Sequence, residues 1–364
     1  MRILILADAN SIHTKRWCYA LQQKGLQIAI WTLSQSEDDT FYNKIQIFTP
    51  NLETSKENIL KKLKYLLSLY HLKKTIKIYN PEVIHAHYLS SYGLLGALLN
   101  PKNYIISVWG SDIFRFPKKN YLYKLLIVFS LKRAYKICST SEIMSAETQK
   151  YTNKKISVIP FGIDLKNFFP QKKQTRNRIF RIGTIKSLEK IYGIDVLIRA
   201  FNVFDSKYPE IKKELIIVGK GSQENKLKEL VNKYNLADKV VFTGPIKHSE
   251  VPSKLKTFDL FCALSREESF GVAVIEAQAS GIPVLVSNAP GFREIVKHGI
   301  TGFIVPRESY TEAAKAMYVL QSSYSASLKM TMDAIKNVEH NYNWDLNIEK
   351  MISVYAAVKY GNHE

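Results

Sequence analysis

Leu260 to Ser287 reads LFCALSREESFGVAVIEAQASGIPVLVS. Its first four residues, Leu260 to Ala263, and its last four, Val284 to Ser287, are short apolar runs of strand character; between them a polar stretch passes into a helical run that ends near Gly281. Strand, helix and strand in this order make one unit of a parallel sheet. The alternation recurs on both sides. Strand-like runs lie at Leu215 to Val218, Val240 to Thr243 and Gly302 to Val305, and nearer the start at Ile3 to Leu6, Gln27 to Trp31, Val83 to His87, Tyr104 to Val108 and Lys136 to Ser139. Helical patterns at Thr14 to Lys24, Ser55 to Tyr79 and Tyr121 to Ala134 separate several of them. The fold class that follows is α/β, with two doubly wound Rossmann-like domains, an interdomain cleft, and ligands at the carboxyl ends of the strands.

Length agrees with two cores, since 364 residues exceed the roughly 250 to 300 at which single cores stop growing. The polar stretch Gln171 to Asn177 reads as the linker. It divides the chain into a first domain, 1–170, and a second, 171–342, with 343–364 as a C-terminal helix packing back toward the first. The opening MRILILADAN has an apolar run closed by Asp8 and reads as a buried first strand rather than a signal peptide. No apolar run approaches the roughly 18 to 20 residues that span a bilayer. Cys18, Cys138 and Cys262 are odd in number, far apart and set among apolar neighbours, as buried thiols of a reducing cytoplasm would be.

The formal charge of +20 is uneven: residues 1–170 hold 24 Lys and Arg against 11 Asp and Glu, the remainder 28 against 21. A basic surface attracts nucleic acid, anionic lipid and phosphorylated substrates alike, so charge alone names no partner. A nucleic-acid binder would carry a helix-turn-helix, a zinc finger or an aromatic RNA-binding motif, and none is present.

Glu268 and Glu276 stand eight positions apart, about 12 Å along a helix, with Ser269, Phe270 and Gly271 at the helix start between them. That span is close to the reach of a nucleotide sugar from hexose to ribose, with a diphosphate lying on the free N–H groups of the helix start. Spacing alone fits equally well a helix N-terminal charge and a solvated surface residue. The position of Glu276 between Ile275 and Ala277 on an apolar segment argues that it has a partner.

The same segment resembles the signature of family 4 retaining glycosyltransferases, in which two such glutamates precede a run like Glu276, Ala277, Gln278, Ala279, Ser280, Gly281, Ile282, Pro283, Val284. Val158 to Asp164, Val218 to Gly221, Val240 to Gly244 and Gly291 to Glu294 agree in order, so the similarity runs through nearly the whole chain. The resemblance implies the GT-B fold, transfer with retention of anomeric configuration, no metal, and no cofactor beyond a UDP- or GDP-sugar substrate. It gives Glu276 the ribose hydroxyls and Glu268 the donor sugar. The acceptor implied is a saccharide or a lipid-linked saccharide, as in lipopolysaccharide, capsule or exopolysaccharide synthesis. A nucleotide-sugar epimerase or phosphorylase on the same fold is the alternative within enzymes.

Without a metal the departing diphosphate needs fixed positive charge, and Lys186 and Lys190, in the place where the family carries Arg and Lys, are the candidates; the choice between them stays open. Gly219 follows a strand and reads as a tight turn or a phosphate loop. In the first domain Asn10 and Ser11 occupy the loop where the family often has a Gly-rich segment facing the donor phosphates. Trp109 replaces the histidine that relatives place before Gly110 and Asp112. That leaves Asp112, with His85 or His87, as the acceptor-side contacts.

Two stretches join lysines to apolar residues: KENILKKLKYLLSLYHLKKTIK from Lys56 to Lys77, and PKKNYLYKLLIVFSLKRAYK from Pro117 to Lys136. The second contains no acidic residue. Beside the plain reading, a helix burying one face on a sheet, this sign bias points to peripheral association with the anionic inner face of the cell membrane by an otherwise cytoplasmic protein.

Overall fold

The structure, a computed structural model, describes residues 1–35, 45–50, 58–170 and 179–361. The expected linker Gln171 to Asn177 and the start of the Lys-rich helix at Ser55 lie outside them. The described chain forms two units, Met1–Pro160 together with the residues from Leu346 onward, and Phe161–Asp345. Phe161 to Pro170 stay with the second unit, where Ile163 pairs with Asn343 and its N–H donates to the Tyr342 carbonyl at 2.7 Å.

The first unit runs β1 (Arg2–Leu6), α1 (Ile12–Gln23), β2 (Gln27–Trp31), β3 (Gln46–Phe48), α2 (Asn58–Tyr79), β4 (Val83–His87), α3 (Tyr92–Leu99), β5 (Tyr104–Val108), α4 (Ser111–Phe114), α5 (Tyr121–Arg133), β6 (Lys136–Ser139), α6 (Glu142–Gln149) and β7 (Ile156–Val158). Its seven strands are parallel in the order β3-β2-β1-β4-β5-β6-β7, so the winding reverses between β1 and β4. Central strands read as unbroken Ile, Leu and Val because helices cover both faces of a parallel sheet. On β4 the two-residue period sends Ile84 and Ala86 into the cluster of Leu4, Leu6, Ala29 and Trp31. His85 and His87 take the other face.

The second unit runs β8 (Phe180–Ile185), α7 (Ile194–Lys207), β9 (Lys213–Val218), α8 (Glu224–Lys233), β10 (Val240–Gly244), α9 (Val251–Leu255), β11 (Leu260–Ala263), α10 (Val272–Ala279), β12 (Val284–Ser287), α11 (Pro290–Ile295), β13 (Phe303–Val305), α12 (Tyr310–Ser322) and α13 (Tyr324–Asn341); α14 (Trp344–Tyr360) then passes into the first unit at Leu346. Strand order is β10-β9-β8-β11-β12-β13, all parallel, with the reversal between β8 and β11. Leu197, Phe201 and Phe204 of α7 and Met317 of α12 pack on Ile182, Leu215, Leu260 and Leu285 of the sheet. Both reversals fall where such sheets open a crevice at the carboxyl strand ends. No helix among the described residues is long and apolar enough to cross a membrane. All three cysteines are free and buried, and burial pushes the Cys138 thiol up to about 12.

Candidate functional site

In the second unit the loops after β8 and β11 meet at the strand reversal. Lys186 follows β8, its N–H held by the Val218 carbonyl at 3.0 Å, and its ammonium lies 2.6 Å from Glu268 Oε2 and 4.3 Å from the centre of the Tyr192 ring. Charge pair and aromatic face together fix a long, otherwise mobile side chain. Lys190 is exposed on the short turn Lys190–Tyr192. The fold therefore brings one of the two candidate lysines to Glu268.

Arg266 latches these loops together. Its guanidinium forks onto both Asp195 oxygens at 2.7 Å, reaches Glu308 and donates to the Lys190 carbonyl at 2.6 Å, while its N–H donates to the Ile191 carbonyl at 2.8 Å. Burial alone would raise the Asp195 carboxyl, but the Arg266 bonds overcome it and hold that carboxyl below its usual range.

Gly271 opens α10 at φ +106°, a conformation that favours glycine, and no side chain caps the helix. The start of α10 is thus left without a side-chain cap a few residues on in the chain from Glu268, whose carbonyl accepts from Gly291 N–H at 3.0 Å. Ser269 is half-buried in the same loop. Phe270, expected at the nucleotide, is instead a buried anchor packed edge-on to Phe161 and Tyr342. Glu276 is nearly buried on α10, and its partner is His248, whose Nε2 lies 3.0 Å from Oε1. Gly219 at φ +144° lets two loops cross: a Cβ there would fall 2.0 Å from the Lys186 carbonyl oxygen. Its own N–H donates to the Gly244 carbonyl at 2.9 Å, so the glycine packs against the Lys186 loop with its N–H already bonded. Ser265, absent from the sequence reading, has a buried hydroxyl without a hydrogen-bond partner among the described residues, in a recess shared with Thr184, Lys186 and Glu268.

In the first unit, Asn10 and Ser11 lie just past β1. Asn10 donates to the Gln35 carbonyl at 2.9 Å, and Ser11 starts α1 without a side-chain cap bond. Asp112 corrects an expectation. It is fully buried, and its carboxylate accepts from the N–H groups of Leu89, Trp109 and Gly110 at 2.7 to 3.2 Å, so it clamps the ends of β4 and β5 and offers nothing to an acceptor. Burial raises its carboxyl even so.

His85 is corrected likewise: Tyr355 Oη at 2.8 Å and Ser107 Oγ at 2.7 Å take both ring nitrogens, and burial pushes the ring down to about 3. His87, one step nearer the strand end, differs. Its Nδ1 has no hydrogen-bond partner among the described residues, and its ring lies 4.6 Å from that of Trp109 at 33°. Burial, and after it the neighbouring His85 and His13 rings, push it well below the usual histidine range. Tyr88 beside it adopts φ +79°, a conformation aromatic residues rarely take and one that clusters at functional sites.

Among the described residues no group of three His, Cys, Asp or Glu stands together as metal ligands do. His248, Tyr192 and Arg266 are partners that no local motif announces.

The family model described as glycosyl transferases group 1 matches residues 166–339, and that described as glycosyl transferase 4-like matches residues 2–141. The chain is 34% identical over 160 residues to mannosylfructose-phosphate synthase of Agrobacterium fabrum, covering 40% of this chain but only 35% of that enzyme. It is 24% identical over 295 residues to N-acetyl-alpha-D-glucosaminyl L-malate synthase of Bacillus anthracis, covering 77% and 75%. Among solved structures, sucrose-phosphate synthase from Thermosynechococcus elongatus superposes with a TM-score of 0.82 at 18% identity over the whole of both chains. Anabaena HepE in complex with UDP-glucose does so at 0.80 and 17%, over 98% of this chain and 100% of that one. These likenesses show the GT-B fold.

Proposed function

The chain belongs to the glycosyl transferases of group 1, with a 4-like first half, and on that premise we propose that it moves a hexose-type sugar, with retention and without a metal, from a nucleotide-sugar to a saccharide or lipid-linked acceptor. The observation that carries this reading is the pair of carboxylates flanking the uncapped start of α10, one bonded to Lys186. A diphosphate laid on those N–H groups meets an ammonium at one side, Glu276 at the ribose and Glu268 at the sugar. In the transfer the bond from the sugar C1 to the diphosphate oxygen breaks, a bond from C1 to the acceptor hydroxyl oxygen forms, and the hydroxyl proton passes to the leaving diphosphate. The residues position the reactants and offset developing charge. HepE's complex with UDP-glucose makes UDP-sugars the donors to try first. The test is incubation with UDP- and GDP-sugars and a saccharide acceptor, with the product anomer read by NMR. Inverted product, or hydrolysis that no acceptor redirects, overturns the reading.

His87 is the acceptor-side candidate in this reading, an imidazole at the end of β4 whose buried Nδ1 makes no hydrogen bond among the described residues.

The acceptor's source is an anionic membrane surface, as needed in surface polysaccharide synthesis. What supports this is α5. A helix that merely covers a sheet hides its apolar residues, whereas here Tyr121, Leu122 and Leu125 face outward, Tyr121 at 73% exposure, with Lys124, Lys132 and Arg133 exposed on the same helix. Glu147 of α6 supplies an acidic residue that the local sequence lacks, pairing with Lys118 at 2.9 Å. The remaining cations carry the attraction.

A further inference from the structure

Glu276 holds a carboxylate at the edge of the buried interior of the second unit, between Ile275 and Ala277, both at 0% exposure. Such a group costs free energy unless its oxygens are bonded. One bond comes from a residue far off in sequence, His248, in the turn His248–Glu250 that follows β10. Toward a carboxylate an imidazole nitrogen can only donate, so Nε2 carries the hydrogen and Oε1 gives it one lone pair. The turn itself is fixed, since Glu250 Oε2 accepts from Lys247 N–H at 2.7 Å. Phe168, buried at 2% exposure, lies 6.0 Å from the imidazole, ring centre to ring centre. Both ends of the bond are thereby held by the fold.

We infer that His248 is a positioning residue for the nucleotide: it fixes the rotation of the Glu276 carboxylate so that the remaining lone pairs face a vicinal diol, making the site selective for ribonucleotides over 2′-deoxyribonucleotides. The inference rests on the reading of Glu276 as the ribose contact. A carboxylate turned freely about its last torsion presents two acceptors to a diol only part of the time; one held by a fixed donor presents them always, as outer hydrogen bonds do for ligating side chains elsewhere. A site built to bond a hydroxyl discriminates strongly against the analogue lacking it, because a buried acceptor is then left unpaired.

The experiment is calorimetric titration of the whole protein with UDP and 2′-deoxy-UDP, and with GDP and 2′-deoxy-GDP, for wild type, His248→Ala, His248→Gln and Glu276→Ala. The Gln amide can donate from about the place of Nε2. Wild type should prefer the ribonucleotide about tenfold or more. His248→Ala should lose most of that ratio while His248→Gln keeps it, a contrast that loss of packing would not produce. An equal weakening of both nucleotides in both His248 variants overturns the inference, as does an unchanged ratio in His248→Ala when Glu276→Ala abolishes it. If the ratio survives Glu276→Ala, or if wild type binds none of the four nucleotides, the ribose reading itself fails and takes the inference with it.

Discussion

Lys186 Nζ lies 2.6 Å from Glu268 Oε2, so the cation best placed for a diphosphate is already neutralised by the carboxylate best placed for the sugar. Both groups are partly buried, at 22% and 11% side-chain exposure, and each stands to gain a new partner when a nucleotide-sugar arrives. Glu268→Gln removes the competing charge. Nucleoside diphosphate should then bind at least as tightly as to wild type while turnover falls, and a tenfold weaker dissociation constant would contradict the exchange. Lys186→Ala should cost on the order of 10² to 10³ in turnover, the scale for removing a donor aimed at developing charge. Lys190→Ala should cost far less.

If Lys186 and the α10 N–H groups supply the charge, a divalent ion is not needed. Initial rates in excess chelator should match those in buffer alone. Activity lost in chelator and restored by magnesium or manganese would refute metal independence.

The Arg266 fork ties α7 to both site loops. Arg266→Ala leaves a half-buried Asp195 without its partner, a loss of about 1.5 to 3 kcal/mol by the usual worth of hydrogen bonds to charged groups. Arg266→Lys retains charge but cannot make the planar two-bond contact, so it should recover only part of the loss. Thermal melts read stability and donor turnover reads loop position. Wild-type behaviour in both for Arg266→Ala would show that the latch is idle.

What the sequence made legible follows from burial. Strands buried on both faces, such as Ile3 to Leu6, announce themselves as apolar runs, and Glu276 stood out because a charge interrupts such a run. The edge strands Gln46–Phe48 and Ile156–Val158 did not, since their three residues are at most partly buried. Partners distant in the chain leave no local signal: His248 is 28 residues from Glu276, and Asp195 is 71 from Arg266. Asp112 and His85 were misread because spacing places a polar residue at a strand end without saying which way its side chain turns. Backbone N–H groups claimed the first; Tyr355, 270 residues away, claimed the second.

His85 and His87 are both buried as neutral rings, the first pushed down to about 3 and the second well below the usual value. In the unfolded chain each takes up a proton near pH 6.5, which the folded chain refuses. Stability should therefore fall as pH drops from about 6.5 toward 3, by about 1.4 kcal/mol per pH unit for His85, with His87 acting in the same direction. Urea melts between pH 7.5 and 4.5 read this slope. His85→Gln, whatever its stability at pH 7.5, should give a shallower acid limb; a limb parallel to that of wild type would mean that His85 takes up no extra proton on unfolding.

The exposed apolar and basic face of α5 can be tested by separating its two components. Replacing Lys119, Lys124, Lys132 and Arg133 by Gln removes four cations while leaving Lys118 on Glu147. At about 1 kcal/mol per cation near an anionic surface, the change should weaken binding to phosphatidylglycerol-containing vesicles on the order of 10²-fold or more. Wild-type binding should itself weaken between low and high salt, because exposed charges are screened. Leu122→Ser with Leu125→Ser keeps the charges, so salt-sensitive attraction should persist with a smaller affinity, the loss reporting apolar insertion. These residues are exposed, and substitutions there usually shift stability by no more than about 0.5 kcal/mol, so melts should match wild type. Nucleotide affinity should not change in either variant. Cosedimentation with neutral and anionic vesicles reads all of this, and wild type remaining in the supernatant with both would return the acceptor to free solution.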